Sequence, residues 1–207
     1  MLLKLVLEST LFQLIFQAAA QMHWSEILAV LFNLIYLIFA MRENRWCWPF
    51  GIIASVLSIY LFFISKLYAE SILYFYYVLA GIYGWYTWGN RYKEKELPIS
   101  TWSFEQHARV LAIGFVLSAL LAFILQQFTD AQMALVDAHT TIFSFIATYM
   151  VTQKILENWI YWIIIDMITI GLYISRELYL YALLMVLFTI MAVWGYRAWK
   201  VRYSSLS

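Results

Sequence analysis

Apolar residues run along this chain in long blocks, broken by short polar turns. A helix that crosses a bilayer needs about 20 mostly apolar residues. Runs of that kind fall at Trp24–Met41, Trp46–Ser65, Tyr68–Trp88, Ala108–Gln127, Gln132–Thr152, Asn158–Ile174 and Leu178–Trp199. The pattern predicts an all-α integral membrane protein with seven transmembrane helices. The turns between them carry the charge: Arg42–Arg45, Lys66, Arg91–Glu96, Asp130, Lys154–Glu157 and Arg176–Glu177. Only Gly89–His107 is long enough for a real loop.

Composition supports a membrane protein. Of 207 residues, 65% are hydrophobic and 12% charged, against about 45–50% and about 25% in soluble domains. Aromatics reach 20%, which suits two membrane interfaces and an aromatic-lined cavity. A net charge of +1 excludes a polybasic nucleic-acid binder, and the single Cys47 excludes a disulfide framework. Of the 13 Lys and Arg residues, all but Lys4, Lys66 and Arg176 fall on one side of the expected membrane. Positive charge stays inside, so the N-terminus is expected outside and the C-terminus in the cytoplasm. The first residues are ambiguous. Lys4, Glu8, Gln13, Gln17 and Gln21 form one polar stripe, as in an interfacial helix. A signal peptide is the rival, since an apolar run there ends in Ala18-Ala19-Ala20. The polar interruptions favour the interfacial helix.

Two stretches resemble each other. Glu43-Asn44 precedes Trp48 as Glu157-Asn158 precedes Trp162, and Tyr68, Gly84, Trp88 and Tyr92 are spaced as Tyr179, Gly195, Trp199 and Tyr203 are. The offset between copies slips by three residues inside the helix. Aromatic-rich helices can look alike by chance, but the matching starts and ends favour a duplication. The expected organisation is an N-terminal segment (1–22), a first three-helix repeat (23–89), a linker loop and helix (90–130), a second repeat (131–200) and a cytoplasmic tail (201–207). One intervening span gives both triplets the same orientation, and transporters built from parallel repeats hold cargo between them near the midplane.

Candidate chemistry lies in polar residues at depth. Asp166 is in the middle of the sixth span, where a carboxylate costs at least about 2.5–3.5 kcal/mol. No Lys or Arg sits at comparable depth, so its counter-charge would be a cationic cargo. The structural alternative is a protonated Asp bonded to neighbouring helices. Trp159, Trp162, Asp166, Thr169 and Tyr173 share one helical face, and two indoles beside a carboxylate suit a flat organic cation. Trp159, near the helix end, also fits an interface belt. Thr141 and Ser144, on a hydroxyl stripe with Asp137, Thr148 and Thr152, serve either cargo or close helix packing. Asn33, with Tyr36 one turn on, is either interhelical glue or a contact. Tyr74 and Trp48 complete the candidate site. The sequence contains no phosphate loop, metal-binding pair or nucleophile elbow, so neither an enzyme nor a cofactor is expected.

Three blocks then carry a resemblance: Trp46-x-Trp48-Pro49-x-Gly51, Tyr83-Gly84-Trp85-Tyr86-x-Trp88 and Glu157-Asn158-Trp159-x-x-Trp162. Together they resemble the PnuC family of bacterial vitamin transporters, from about Trp24 to Trp199. The resemblance implies seven helices arranged three-plus-one-plus-three, as in the SWEET carriers. It also implies facilitated diffusion across the inner membrane, trapping of the product by a cytoplasmic vitamin kinase, and a homotrimer. Members that resemble nicotinamide riboside carriers have a Gln and an Asn in the third span and an Asn in the sixth. Those positions read Tyr74, Gly81 and Asp166 here. The chain therefore looks more like the thiamine branch, with nicotinamide riboside as the alternative cargo. A non-transporting membrane scaffold or sensor subunit is the alternative of another class.

Overall fold

The computed structural model describes residues 22–64, 68–89, 97–129 and 133–206, with isolated positions before Met22. The N-terminal segment expected over 1–22 lies almost wholly outside the described residues, as do Lys66, Arg91–Glu96 and Asp130. The described chain is all-helical: α1 (Trp24–Met41), α2 (Cys47–Ile64), α3 (Tyr68–Trp88), α4 (Phe104–Phe128), α5 (Ala134–Thr152), α6 (Asn158–Ser175) and α7 (Tyr179–Leu206).

Local chemistry sets the helix starts. Asn44 accepts a hydrogen bond from the Trp46 N–H at 3.0 Å and closes the turn before α2. Pro49 then falls in the first turn, where no N–H is needed. α4 begins earlier than expected because Ser103 and Gln106 form a capping box, with bonds of 3.3 and 2.7 Å. All of these helices except α3 are long and apolar enough to cross a membrane. α3 is as long at 21 residues, but its many Tyr and Trp side chains lower its hydropathy. Large apolar side chains such as Ile113, Val116, Leu120 and Phe123 on α4 are exposed, as a lipid-facing surface requires.

The packing order is a closed ring. α1 packs on α2, α2 on α3, α3 on α5, α5 on α6, α6 on α7, and α7 returns to α1. α4 packs on α5 alone among the described helices.

A constant spacing relates the two sides of this ring. Glu43 and Lys154 are 111 residues apart, and both have left-handed backbone, φ 55° and 52°. At that same spacing the bounds of α2 coincide with those of α6, and α3 and α7 begin in register. Trp48 covers Gly84 as Trp159 covers Gly195. At this spacing Trp48 pairs with Trp159, whereas the Glu-Asn starts in the sequence pair it with Trp162.

The two glycines allow a large ring to lie on the helix backbone. A Cβ at Gly84 would come 2.3 Å from the Trp48 ring, and one at Gly195 would come 2.7 Å from Trp159. Both rings are buried and have no room to retreat. Gly84→Ala and Gly195→Ala are each expected to cost about 1–3 kcal/mol through overpacking. Gly171→Ala, which meets nothing within 4 Å, should be neutral or stabilising by up to about 1 kcal/mol. Thermal unfolding of the three variants in detergent checks this order.

Candidate functional site

Polar groups inside a membrane bundle need partners, because hydrocarbon offers none. They form two levels, one at mid-depth and one at the end where α1, α3 and α5 terminate.

At mid-depth the centre is Asp166. It is only 6% exposed, while Ile164, Met167 and Ile168 on the same helix are exposed. The carboxylate therefore faces protein. Among the described residues the ion pairs involve Glu43, Asp137 and Glu157, not Asp166. The Tyr77 hydroxyl on α3 lies within electrostatic range of Asp166 and beside Ser144 on α5. Tyr74 packs edge-on against Tyr77, centroids 5.4 Å apart. Tyr36 on α1 is in range of Tyr77 and lies edge-on to Trp48 at 6.0 Å. Thus α1, α3, α5 and α6 all bring polar side chains to one level of the ring.

Other expected residues are placed differently. Asn33 and Thr141 are half-buried. Thr148 and Thr152 donate to carbonyls of their own helix, each at 2.7 Å, which fits a packing role. Asp137 is a rim charge paired with Arg176 at 3.0 Å. His139 bonds the Leu135 carbonyl at 2.7 Å.

The second level is a layer of indoles. Trp48 meets Trp88 at 5.2 Å, Trp88 meets Trp199 at 6.0 Å, and Trp199 meets Trp159 at 5.4 Å. Trp162 packs against its margin. The Trp88 Nε1–H donates to the Val151 and Thr152 carbonyls at 3.3 and 3.2 Å. The Trp199 Nε1–H donates to the Ala40 carbonyl at 3.0 Å. Val151 and Ala40 are themselves related by the common spacing, so each side of the ring holds the other in the same way. Trp48 and Trp159 are buried with no acceptor for their N–H among the described residues, at a cost of about 1–3 kcal/mol each. In this structure these two rings belong to a closed layer rather than to a cargo surface.

Beneath the layer lies a charged cluster. Lys154 Nζ is 3.1 Å from Glu43 Oε2, and Arg202 is 2.8 Å from Glu43 Oε1. Lys154 also lies 4.9 Å from the Trp88 ring centroid. Left-handed backbone costs roughly 1–2 kcal/mol for a residue other than glycine, yet both Glu43 and Lys154 adopt it. Sequence reasoning missed this pair, because charges in a turn read as solvated. Opposite charges 111 residues apart were the available signal. Tyr77 was also missed among so many aromatics on one helix.

A ring of apolar helices with a polar level inside and no metal-ligand cluster among its described residues has the construction of a multi-pass membrane carrier. The chain belongs to the nicotinamide mononucleotide transporter family, which it matches over residues 23–201; it is a transporter and not an enzyme. It is 25% identical to the nicotinamide riboside transporter PnuC of Escherichia coli K12, over 85% of this chain and 84% of that one. It is 21% identical to the riboflavin/roseoflavin transporter RibM of Streptomyces davaonensis, over 86% and 85%. Its fold matches the crystal structure of the vitamin B3 transporter PnuC, with a TM-score of 0.75, 21% identity, and 95% of this chain and 91% of that chain covered.

Tyr77 and Ser144 give a direct test of the mid-depth level. Tyr77→Phe and Ser144→Ala are each expected to cost about 1 kcal/mol, lowering the thermal midpoint by about 2–4 °C. The double variant should fall short of the sum; strict additivity would show that the two groups do not interact.

Proposed function

We propose that this protein is a passive uptake carrier for a water-soluble vitamin with a flat, positively charged ring, bound at mid-depth against Asp166. The observation that carries the reading is the buried Asp166 carboxylate, which lies beside Tyr77 and has no ion-pair partner among the described residues. In this reading Trp162, Tyr74, Tyr36, Asn33 and Thr141 are the further cargo contacts, and the closed indole layer with Trp48 and Trp159 lies below them. The common spacing of 111 residues and the ring order support two parallel three-helix repeats, α1–α3 and α5–α7, with α4 as the linker. α3 is then the seventh span. Rocking of one triplet against the other gives alternating access.

Nicotinamide riboside is the first cargo in this reading, because relatives named for it match most of the chain. Its pyridinium supplies the positive charge and the flat ring. Thiamine, expected from the sequence, takes second place. It is favoured by Tyr74, Gly81 and Asp166 standing where the riboside carriers are expected to have amides. Thiamine brings a thiazolium cation and an amine that can donate to a carboxylate. The charge asymmetry supports a C-terminus and a Lys154 cluster on the cytoplasmic side of a bacterial inner membrane. A cytoplasmic kinase that phosphorylates the vitamin would make passive entry one-way, and the carrier is expected to work as a homotrimer.

Purified protein in liposomes should show saturable flux of nicotinamide riboside, with thiamine competing more weakly. Tighter binding of thiamine reverses the order, and flux of riboflavin alone removes the cationic reading. Asp166→Asn, nearly isosteric, should weaken binding of the cation by at least about 30-fold in a titration while the protein still folds. Unchanged affinity would remove Asp166 from the site.

A further inference from the structure

Glu43, Lys154 and Arg202 hold one end of the ring together without reaching the cargo level. Glu43 closes the turn between α1 and α2, Lys154 the turn between α5 and α6, and Arg202 lies near the end of α7. Their charges meet where the two triplets meet, at matching positions in each. Arg202 also donates to the Arg42 carbonyl at 2.8 Å. The loop before α4 fixes the Lys154 turn, since the Ser100 N–H donates to the Lys154 carbonyl and the Leu156 N–H to the Ser100 carbonyl, at 3.0 and 2.8 Å. The turn is therefore rigid on the Lys154 side, and Glu43 is the part that can let go.

We propose that the Glu43–Lys154 pair, backed by Arg202, is a latch that holds this end of the carrier shut, with Trp48 and Trp159 as the gate behind it. Three observations converge. Lys154 is only 4% exposed, so removing its carboxylate strands a buried ammonium and disfavours the closed arrangement. Glu43 and Lys154 stand at the same point of their turns, one residue past the helix C-cap in the left-handed backbone that Glu177 also adopts, and this brings opposite charges to one place. Trp48 and Trp159 each hold a buried N–H with no acceptor among the described residues, which water would satisfy once the end opens. The closed state thus combines a strong tie with two unmet donors, and a gate needs both if it is to open as well as close.

The latch rests on the transport reading but not on the identity of the cargo. Cys47, the single cysteine, is fully buried in the indole layer and lies within electrostatic range of Lys154. It is a native reporter of opening. Full-length protein in nanodiscs, treated with N-ethylmaleimide and followed by mass spectrometry, should react slowly. Glu43→Gln is expected to accelerate modification by at least about tenfold while the protein remains folded, and Arg202→Gln by a smaller factor. Equal rates in folded Glu43→Gln and wild type overturn the latch. Where Glu43→Gln does not fold, Arg202→Gln on its exposed site decides, and an unchanged rate there overturns the proposal. The assay contains no vitamin. Faster modification without vitamin flux would leave the latch standing and remove the cargo reading, whereas normal flux with unmoved modification would do the reverse.

Discussion

Two indole nitrogens reach across the bundle, and each ends on a carbonyl in the last turn of the facing helix. Those carbonyls already accept from the turn that follows, Ala40 from the Glu43 N–H at 2.9 Å and Val151 from the Lys154 N–H at 3.0 Å, and each indole uses a remaining lone pair of an oxygen that hydrocarbon would leave unmet. Trp88 serves the end of α5 and Trp199 the end of α1. This reciprocal exchange ties the two sides of the ring together at one end. The other features follow from it. Gly84 and Gly195 are small so that Trp48 and Trp159 can lie beside the donors. The charged turns meet below because the helix ends above them are already held together.

The two sides agree where the bundle closes and differ where cargo would sit. The tryptophans, glycines and turns of the closed layer match at the common spacing. At mid-depth the match fails: Asp166 stands opposite Ser55, Trp162 opposite Gly51, Tyr77 opposite Phe188 and Tyr36 opposite Ala147. Tyr36 fills the space above Gly51, where a Cβ would come within 2.9 Å of its ring. A near-symmetric frame suits rocking, while an unsymmetric interior suits a molecule with one charged ring and one hydroxyl-bearing arm. The carboxylate is on one side only, and that fixes which way round such a molecule would lie.

Much of this was legible in the sequence. Long apolar runs and charged breaks placed the helices to within a few residues, since burying a backbone in lipid leaves little choice of structure. Asp166 stood out because a carboxylate at that depth is costly, and it does face protein. The rest was hidden for identifiable reasons. Tyr77 is one of many aromatics on α3, and periodicity cannot say which of them finds a polar partner. Trp48 and Trp159 read as cargo contacts because an indole serves equally well as a floor, and only the glycines facing them distinguish the two. Glu43 and Lys154 read as solvated turn charges because burial of a turn depends on what folds beneath it. Here that is the loop around Ser100, which has no helical or apolar pattern to announce it.

The claim on which the account turns is that the mid-depth site recognises positive charge. Nicotinamide riboside and its reduced, uncharged dihydro form have nearly the same shape and hydrogen-bonding groups. Titrating both into the unmodified protein isolates the charge. The account expects the cationic form to bind at least about tenfold more tightly, as loss of a desolvated charge partner implies. Equal affinities, or a preference for the neutral form, would contradict it.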